Sequence, residues 1–338
     1  MSAGERFLVT GALGCIGAWT VRELVREGTS VVGFDLGTDP RRLALLLEPD
    51  EMRNATLVAG DITDLGAVER AVDEHGITNV IHLAALQVPF CRADPPLGAA
   101  VNVVGTVNVF EAVRRRGQTT APLVYTGSIG MYSPSDVDPS TGRLEEDADP
   151  HPGNHYGVYK YANEGNARIY WLDSGVASVG LRPMTVYGAG RDQGMTSSPT
   201  VAIAAAVLGT PFEISFGGET LFQYAHDVAR TLILASRSEA VGARVFNLGG
   251  SAVALSDWVD AIEATVPEAA GLITVAPTEL PFPSAIGHDG ISSLGDVPVT
   301  PYREAIVATA NIYRRLAGEG RLVGTEHGVP PAVSSASA

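Results

Sequence analysis

The sequence predicts an α/β fold in which a doubly wound parallel sheet is followed by a smaller C-terminal domain. Short apolar, β-branched segments alternate with amphipathic helical patterns as far as residue 182. These apolar segments are nearly continuous, which is typical of parallel strands with both faces covered by helices. Beyond residue 183 the pattern loosens into segments rich in Gly, Pro, Ser and Thr, which predicts a second, less regular domain.

Six strands are expected in chain order, because each segment is short, apolar and rich in β-branched residues. They are residues 6–10, 30–34, 55–59, 79–84, 122–126 and 177–182. Apolar residues spaced by three and four predict helices between them, for example at 16–28 and 66–76. We therefore expect a first domain at 1–182, a second at 183–325 with some segments that return to the first sheet, and a flexible tail at 326–338.

Composition narrows the possible partners. The 338 residues are 45% hydrophobic and include 23 basic and 38 acidic residues, which gives a net charge of -15. Because this charge repels phosphate backbones and anionic lipids, we expect neither nucleic acid nor a membrane as a partner. The first residues do not resemble a secretory signal, and no run approaches the roughly 18 apolar residues of a membrane span, so a cytoplasmic location is expected. Cys15 and Cys91 are the only cysteines, too few for a disulfide framework or a zinc cluster, and no metal is expected.

Three glycines stand where the first strand is predicted to become a helix. Gly11, Gly14 and Gly17 are spaced G-x-x-G-x-x-G. In such a turn the first glycine permits the tight bend, the second lets a ligand approach the backbone, and the third lets the helix lie near the sheet. Cys15 and Ile16 would then present helix N-terminal amides to a pyrophosphate. A glycine-rich turn without a ligand remains the alternative at this point.

The ends of the next strands indicate which dinucleotide is bound. Asp35 closes the second strand, where a carboxylate accepts both adenosine-ribose hydroxyls and repels a 2′-phosphate, which favours NAD over NADP. Arg41 and Arg42 follow, and they leave a phosphate-binding role open. Asp61 and Ile62 follow the third strand, where the adenine edge is expected. The fourth strand ends in small residues that let the cofactor pass closely, namely Leu83, Ala84 and Ala85.

Candidate catalytic residues lie in the middle of the chain. Ser128 ends the fifth strand, and Tyr156 and Lys160 follow with a spacing of four that places both on one face of a helix. A nearby ammonium favours the phenolate and lowers a pKa that starts near 10, as a general base requires. Ser128 would hold the substrate oxygen while a hydride moves between the substrate carbon and the nicotinamide. Taken alone, Tyr156 and Lys160 equally fit an exposed helix face.

These motifs together resemble the extended short-chain dehydrogenases/reductases, the NAD-dependent epimerase/dehydratase group. The resemblance runs from about residue 6 to 317 and includes TGALGCIG, GDITD, HLAA, YTGS, YGVYKYANE and LRPMTVYG. It implies a Rossmann domain with a small substrate domain, bound NAD, and Ser128, Tyr156 and Lys160 as the catalytic trio. By the same resemblance Asn102, Pro183 and Val186 are assigned to the cofactor, as are Tyr156 and Lys160 in addition to their catalytic role, and Gln87 is assigned to the substrate. Family members are often dimers joined through a helix bundle, which implies a homodimer.

The sequence departs from the family at two positions that bear on the substrate. Nucleotide-sugar dehydratases of the group carry Asp-Glu after the Ser/Thr of the fifth strand, whereas Ile129 and Gly130 stand here, which disfavours dehydration. In the segment where nucleotide-sugar enzymes carry Arg-Asp, the chain has Thr220 and Leu221. Loss of an arginine that grips the diphosphate favours a free sugar, sugar acid or polyol. Further candidates for substrate contact are Arg191, Gln193, Thr196 and Ser197.

Three functions remain open. The leading one is a dehydrogenase that oxidises a secondary alcohol of a small sugar-like molecule. The second is an epimerase, of a sugar or a nucleotide sugar, in which the hydride returns to the opposite face of a transient ketone. Both reactions need the same three side chains, so the sequence separates them poorly. The third is a non-catalytic NAD-binding sensor or scaffold, and the presence of Ser128, Tyr156 and Lys160 disfavours it.

Overall fold

The structure is a computed structural model, and it describes residues 4–117 and 121–329. Its strands follow the predicted alternation with helices. They are β1 (Arg6–Thr10), β2 (Ser30–Asp35), β3 (Ala55–Ala59), β4 (Asn79–His82), β5 (Leu123–Thr126), β6 (Ser178–Arg182), β7 (Thr185–Tyr187), β8 (Phe212–Ile214), β9 (Glu219–Tyr224), β10 (Ala243–Asn247), β11 (Ser251–Ala254) and β12 (Ile273–Val275).

The helices lie between the strands and then dominate the C-terminal part. They are α1 (Cys15–Arg26), α2 (Arg41–Leu46), α3 (Pro49–Met52), α4 (Leu65–Glu74), α5 (Val88–Ala93), α6 (Pro95–Ala99), α7 (Gly105–Arg116), α8 (His155–Ser174), α9 (Ser198–Val207), α10 (Ala225–Ser236), α11 (Leu255–Thr265) and α12 (Tyr302–Gly318). A π-helical segment, Ala100–Val104, joins α6 to α7.

The large sheet is parallel and has seven strands in the order β10-β6-β5-β4-β1-β2-β3. All six predicted strands are present in it, with ends that differ by two residues or fewer. The prediction of a doubly wound parallel sheet is therefore confirmed. β1 pairs with β2 on one side and with β4 on the other, so the chain reverses direction across the sheet at β1. Ligands bind at such a switch point in open α/β sheets.

The seventh strand, β10, comes from the C-terminal part of the chain. It pairs in parallel with β6, Phe246 opposite Leu181. This strand is a segment from beyond residue 182 that joins the large sheet. Its short sequence, ARVFN, has polar residues among the apolar ones. A pattern of this kind does not identify a strand by itself.

Both faces of the sheet are buried, as parallel strands require. Phe7 and Val9 of β1 face a core shared with α1 and α10, whereas Leu8 between them faces a second core shared with α4 and α7. The alternation follows from the two-residue period of a strand. β1 therefore lies between the two cores, and its carboxyl end leads into the glycine turn.

The remaining strands form two smaller sheets, one of three strands in the order β11-β9-β7 and one of two strands, β12-β8. Aromatic side chains from this part of the chain belong to the same core as Phe7 and Val9 of β1. Phe222 of β9 stacks on Trp258 of α11 with ring centroids 3.9 Å apart. The division of the chain into domains at residue 182 stays a prediction.

The C-terminal segment differs in part from the expected tail. Residues Gly324–His327 form a 3-10 turn, and Val329 is buried in the large core. The tail was predicted to begin at residue 326, whereas His327 and Val329 are buried against the fold. The rest of the expected tail, 330–338, lies outside the described residues.

One stretch of helix, Pro95–Arg116, is long and apolar enough to cross a membrane by length and composition, and half of its apolar window is buried inside the fold. It is composed of α6, the π-helical segment and α7, and α7 packs against α4 and α8. Its valines raise the mean hydropathy, but Asn102, Asn108 and Glu111 interrupt the stretch, so it is not a continuous apolar run.

Candidate active site

The glycine turn after β1 has the geometry that the spacing predicts. Gly11 has a φ of 69°, and a Cβ there would lie 2.7 Å from the backbone nitrogen of Ala84. A Cβ at Gly17 would lie 2.1 Å from the carbonyl oxygen of Gly11. Any side chain at Gly17 would therefore push α1 away from the turn. A Cβ at Gly14 would meet only the Gly11 oxygen, at 3.2 Å, and the rest of its surroundings is open.

Asp35 ties the end of β2 to this turn. One carboxylate oxygen accepts a hydrogen bond from the amide of Leu13 at 2.9 Å, and the other accepts from the amide of Gly37 at 3.0 Å. Each oxygen keeps a lone pair for a further donor, as ribose recognition requires. The carboxylate therefore lies beside the glycine turn at the position that the sequence predicts.

Arg42 does not act as a free phosphate-binding cation in this structure. Its guanidinium donates to Asp192 at 2.6 Å, to the carbonyl oxygen of Leu13 at 3.1 Å and to that of Gly190 at 3.1 Å. Arg41 lies 3.5 Å from the other oxygen of Asp192. Because Asp192 engages both arginines, the role in phosphate binding that the sequence left open for them is disfavoured. Arg42 instead connects the glycine turn to the loop that follows β7.

Helix α8 begins beside Ser128. The side chain of Asn154 caps the helix by accepting from the amide of Gly157 at 2.9 Å. A Cβ at Gly157 would lie 2.6 Å from the carbonyl oxygen of Gly130, so only glycine permits this approach. The first turn of α8 is thereby brought against the segment after β5, and Tyr156 comes next to Ser128.

Ser128, Tyr156 and Lys160 come together as predicted. Ser128 is buried and accepts from the amide of Gly130 at 3.0 Å. Lys160 is 4% exposed, donates to the carbonyl oxygen of Thr126 at 2.7 Å, and its Nζ lies 5.7 Å from the ring centroid of Tyr156. It is also the only lysine in the sequence. The alternative of an exposed helix face is therefore wrong for Lys160.

Burial dominates the electrostatics of these groups. It lowers the pKa of Lys160 to about 8. It also raises the pKa of Tyr156, although a hydrogen bond from Ser128 and the charge of Arg191 act in the opposite direction. The expectation that the neighbouring ammonium lowers the pKa of Tyr156 is therefore not met in the protein alone, because desolvation of the phenolate outweighs the nearby positive charge.

One cleft of about 670 Å³ runs from the glycine turn to Tyr156. Most of the predicted site residues line it. They are Gly11, Gly14, Cys15, Ile16, Gly17, Asp35, Asp61, Ile62, Leu83, Ala84, Ala85, Gln87, Ser128, Tyr156, Lys160, Pro183, Val186, Arg191 and Gln193. Other lining residues follow strand ends or lie on α5 and carry no motif that marks them in the sequence, among them Leu36, Phe90, Thr126, Met184 and Asp192.

Three predicted contact residues lie outside the cleft. Asn102 is buried. Its side chain accepts from the amide of Leu86 and donates to the carbonyl oxygen of Leu86, so it holds the loop after β4 in place. Thr196 accepts from Arg191 at 3.3 Å. Ser197 donates to the carbonyl oxygen of Gly194 at 2.9 Å. Asn102, Thr196 and Ser197 therefore contact the residues and loops that line the cleft. They do not line the cleft themselves.

His82 is a packed core histidine. Its ring nitrogens pair with the hydroxyls of Thr10 at 2.7 Å and of Thr106 at 3.0 Å. Burial lowers the pKa of His82 to about 3, so the ring stays neutral. Within residues 4–117 and 121–329, no three His, Cys, Asp or Glu side chains gather as a metal would require.

The segment of β9 that departs from the family is buried. Thr220 is fully buried with its hydroxyl 2.8 Å from that of Thr185, and Leu221 is 4% exposed. The next two residues, Phe222 and Gln223, are buried as well. Along 220–223 no cation faces the cleft.

The cleft fits a dinucleotide. Gly14 leaves open space at the N-terminus of α1, where free amides and the helix dipole favour a pyrophosphate. Asp35 lies at the ribose position of such sites, and Lys160 and Tyr156 lie at the opposite end of the same cleft. NAD supplies a hydride acceptor when it is bound there.

Comparisons with known proteins identify the family of this chain. The model of the NAD dependent epimerase/dehydratase family matches residues 7–249. The UDP-glucose 4-epimerase of Mycolicibacterium smegmatis is 32% identical over 254 residues, which cover 72% of this chain and 77% of that protein. The UDP-glucuronate 4-epimerase 1 of Arabidopsis thaliana is 29% identical over 285 residues, or 78% of this chain and 65% of that protein.

Solved structures share the fold over nearly the whole chain. The UDP-glucose 4-epimerase of Thermus thermophilus, in complex with NAD, has a TM-score of 0.76 and 26% identity, and the match covers 91% of this chain and 99% of that one. An L-threonine dehydrogenase from Cupriavidus necator has a TM-score of 0.77 with 22% identity, covering 92% and 99%, and shows the same fold. Since the family model spans most of the sequence, this chain belongs to the NAD dependent epimerase/dehydratase family, and NAD is its cofactor.

Proposed function

We propose that this chain is an oxidoreductase that uses NAD to oxidise a secondary alcohol of a small sugar-like substrate, namely a free sugar, a sugar acid or a polyol. The observation that carries the proposal is the placement of Ser128, Tyr156 and Lys160 at one end of the cleft that begins at the glycine turn. The lack of a cation along 220–223 favours a substrate without a nucleoside diphosphate.

Each of the three side chains has a separate task. The Ser128 hydroxyl orients the substrate oxygen beside Tyr156. Tyr156 accepts the proton of the substrate hydroxyl as the carbon loses its hydride. Lys160, held by Thr126, keeps a positive charge 5.7 Å from the Tyr156 ring and favours the phenolate that this proton transfer needs. Because Tyr156 has a raised pKa, the enzyme alone holds the phenol protonated at neutral pH.

An epimerase is the second candidate. The relatives that include UDP-glucose 4-epimerases favour it, since a reversible hydride transfer at the same three side chains inverts a carbinol carbon. An epimerase leaves no net NADH, whereas a dehydrogenase releases it. This difference in cofactor balance separates the two functions.

The test is to incubate the protein with NAD and a panel of sugars, sugar acids, polyols and UDP-sugars. Stoichiometric NADH, read by absorbance, supports the oxidoreductase. Isomer formation without NADH, detected by chromatography, would overturn the oxidoreductase and support the epimerase. If NAD binds and neither product forms with any compound, the proposal is overturned and a non-catalytic NAD-binding role takes its place.

A further inference from the structure

The end of the cleft near Tyr156 contains two buried polar atoms without a partner. They are the Nε of Arg191 and the Oε1 of Gln87. Buried polar groups are nearly always hydrogen-bonded, because an unpaired one loses its hydrogen bonds to water without replacement. Two such atoms at one end of a ligand cleft indicate that a ligand completes the site.

Arg191 carries a positive charge that the described residues do not neutralise. Its Nη2 donates to the hydroxyl of Thr196 at 3.3 Å, and no carboxylate of residues 4–117 and 121–329 lies within 4.0 Å of it. The adjacent Asp192 is occupied by Arg41 and Arg42. Asp192 therefore pairs with two guanidinium groups and leaves Arg191 without a carboxylate partner among the described residues, and burial lowers the pKa of Arg191.

The loop that carries Arg191 is held in place from several sides. Trp19 donates to the carbonyl oxygen of Ala189 at 3.0 Å, and Arg42 donates to that of Gly190 at 3.1 Å. The amide of Arg191 itself bonds to the carbonyl oxygen of Gly188 at 3.0 Å. Such anchoring positions the guanidinium before a ligand arrives and lowers the entropy that binding costs.

Gln87 and Arg191 meet across Gly194. A Cβ at Gly194 would lie 2.1 Å from the Oε1 of Gln87 and 3.2 Å from the Nη2 of Arg191, and Gly194 has a φ of 100°. Only glycine therefore leaves both polar groups in place. The site offers a planar cationic donor and a neutral acceptor on one side of Tyr156, which suits an anion with a neighbouring hydroxyl.

We propose that Arg191 and Gln87 form a carboxylate subsite, so that the substrate is a small hydroxy acid of the sugar-acid type rather than a neutral sugar. Arg191 pairs with the carboxylate through its planar fork, and Gln87 accepts from a substrate hydroxyl. The reacting alcohol then lies between Ser128 and Tyr156. This inference rests on the proposed function and narrows its substrate class.

The test measures binding to the enzyme loaded with NADH, by isothermal titration and by the shift of the thermal midpoint. The acids are glycerate, threonate, xylonate, gluconate and glucuronate, and their uncharged counterparts are glycerol, threitol, xylose and glucose. Glucose 6-phosphate tests a phosphate in place of the carboxylate. We expect at least one acid to bind at least tenfold more tightly than its uncharged counterpart.

Variants of Arg191 test whether its side chain causes the preference for acids over uncharged compounds. Arg191→Met is expected to abolish the tenfold preference for the acid, and Arg191→Lys to keep part of it because the charge remains without the fork. Arg303→Met removes an exposed arginine of α12 outside the cleft and is the matched control, with binding unchanged. NAD affinity of Arg191→Met, measured by fluorescence quenching, is expected to equal that of the unaltered protein.

Three results overturn the carboxylate subsite. They are acids that bind no better than the neutral compounds, glucose 6-phosphate that binds more tightly than every acid, and a loss of NAD affinity in Arg191→Met that matches the loss of acid affinity. The last would assign Arg191 to the cofactor phosphates. Because these are binding measurements, a failure of the carboxylate subsite is distinguishable from a failure to produce NADH or an isomer.

Discussion

Burial decides the behaviour of the single side chains in this site. Tyr156 and Lys160 lie side by side, yet the dominant effect on each is loss of water rather than attraction to its neighbour. Desolvation disfavours the charged form of both, so it raises the pKa of the phenol and lowers that of the amine. The protein alone therefore holds a neutral phenol at neutral pH.

Tyr156→Phe tests the role of the phenol. The variant keeps the ring and removes only the hydroxyl, so we expect turnover to fall by a factor of about 10²–10⁴, the usual worth of a general base. NAD affinity is expected to stay within twofold, and fluorescence titration measures it. Phe replacing the more peripheral Tyr161 of α8 is the control. Turnover unchanged in Tyr156→Phe would contradict the mechanism.

The pKa of Lys160 is directly measurable because the chain contains no other lysine. Protein labelled only with ¹³C-lysine gives one side-chain signal, whose chemical shift we expect to titrate near pH 8 rather than near 10.5. A free lysine added to the sample provides the reference titration. A midpoint above 10 would show that burial does not depress this group.

The same shift predicts a change in stability with pH. Folding lowers the pKa of Lys160, so burying its charged form reduces the free energy of unfolding. This reduction is complete below pH 8 and disappears as pH rises towards 10.5. At about 1.4 kcal/mol per pKa unit, the penalty is a few kcal/mol. Lys160→Met should therefore raise the free energy of unfolding at pH 7 and raise it less at pH 9.5, as urea titrations at both pH values would show. A gain that stays constant with pH would contradict the prediction.

At the scale of elements, backbone contacts between glycines set the distances between strand, turn and helix. Gly17 brings α1 against the turn, and Gly157 brings α8 against the segment after Ser128. Both contacts join a helix start to the carboxyl end of a strand, where the cleft lies. The shape of the cleft therefore depends on positions that have no functional group of their own.

Gly17→Ala tests the contact at α1. The added Cβ would lie 2.1 Å from the carbonyl oxygen of Gly11, so the helix must shift. We expect a loss of about 1–3 kcal/mol in the free energy of unfolding and at least a tenfold loss of NAD affinity, measured by urea titration and fluorescence. Gly318→Ala is the control, since nothing lies within 4 Å of a Cβ there. Equal behaviour of the two variants would refute the packing role of Gly17.

Much of this architecture could be predicted from the sequence, for reasons visible in particular residues. The strands through β6 are apolar runs, and Gly11, Asp35, Ser128, Tyr156 and Lys160 follow strand ends or lie on one helix face. Contacts between distant segments could not be predicted this way. Arg42 and Asp192 are 150 positions apart, and only the folded chain shows that they pair. Asn102 was placed at the cofactor, although it supports the loop after β4 from behind.

At the scale of the whole molecule, α8 presents an apolar stripe to the solvent. Val158, Tyr161, Ile169 and Leu172 are each between 46% and 62% exposed and recur at helical spacing. Exposed Gly165 lies among them with no neighbour near its Cβ. Because contiguous apolar surface of this kind marks an interaction site, we propose it as the contact of the homodimer that family resemblance implies.

Replacing both Ile169 and Leu172 with Glu tests this contact. Charges at the centre of an apolar interface should convert a dimer to a monomer, and light scattering after size exclusion measures the mass. Val307→Glu, on an exposed position of α12, should leave the mass unchanged. A monomeric unaltered protein, or a dimer that survives the double substitution, would contradict the proposed contact.

The position of β10 has a consequence for how the protein is made. β6 has no partner on its outer side until Ala243–Asn247 pairs with it. A nascent chain therefore carries an open strand edge until Asn247 has emerged from the ribosome, and such edges recruit other chains. During synthesis, this half-built sheet edge is where we expect chaperones to be needed.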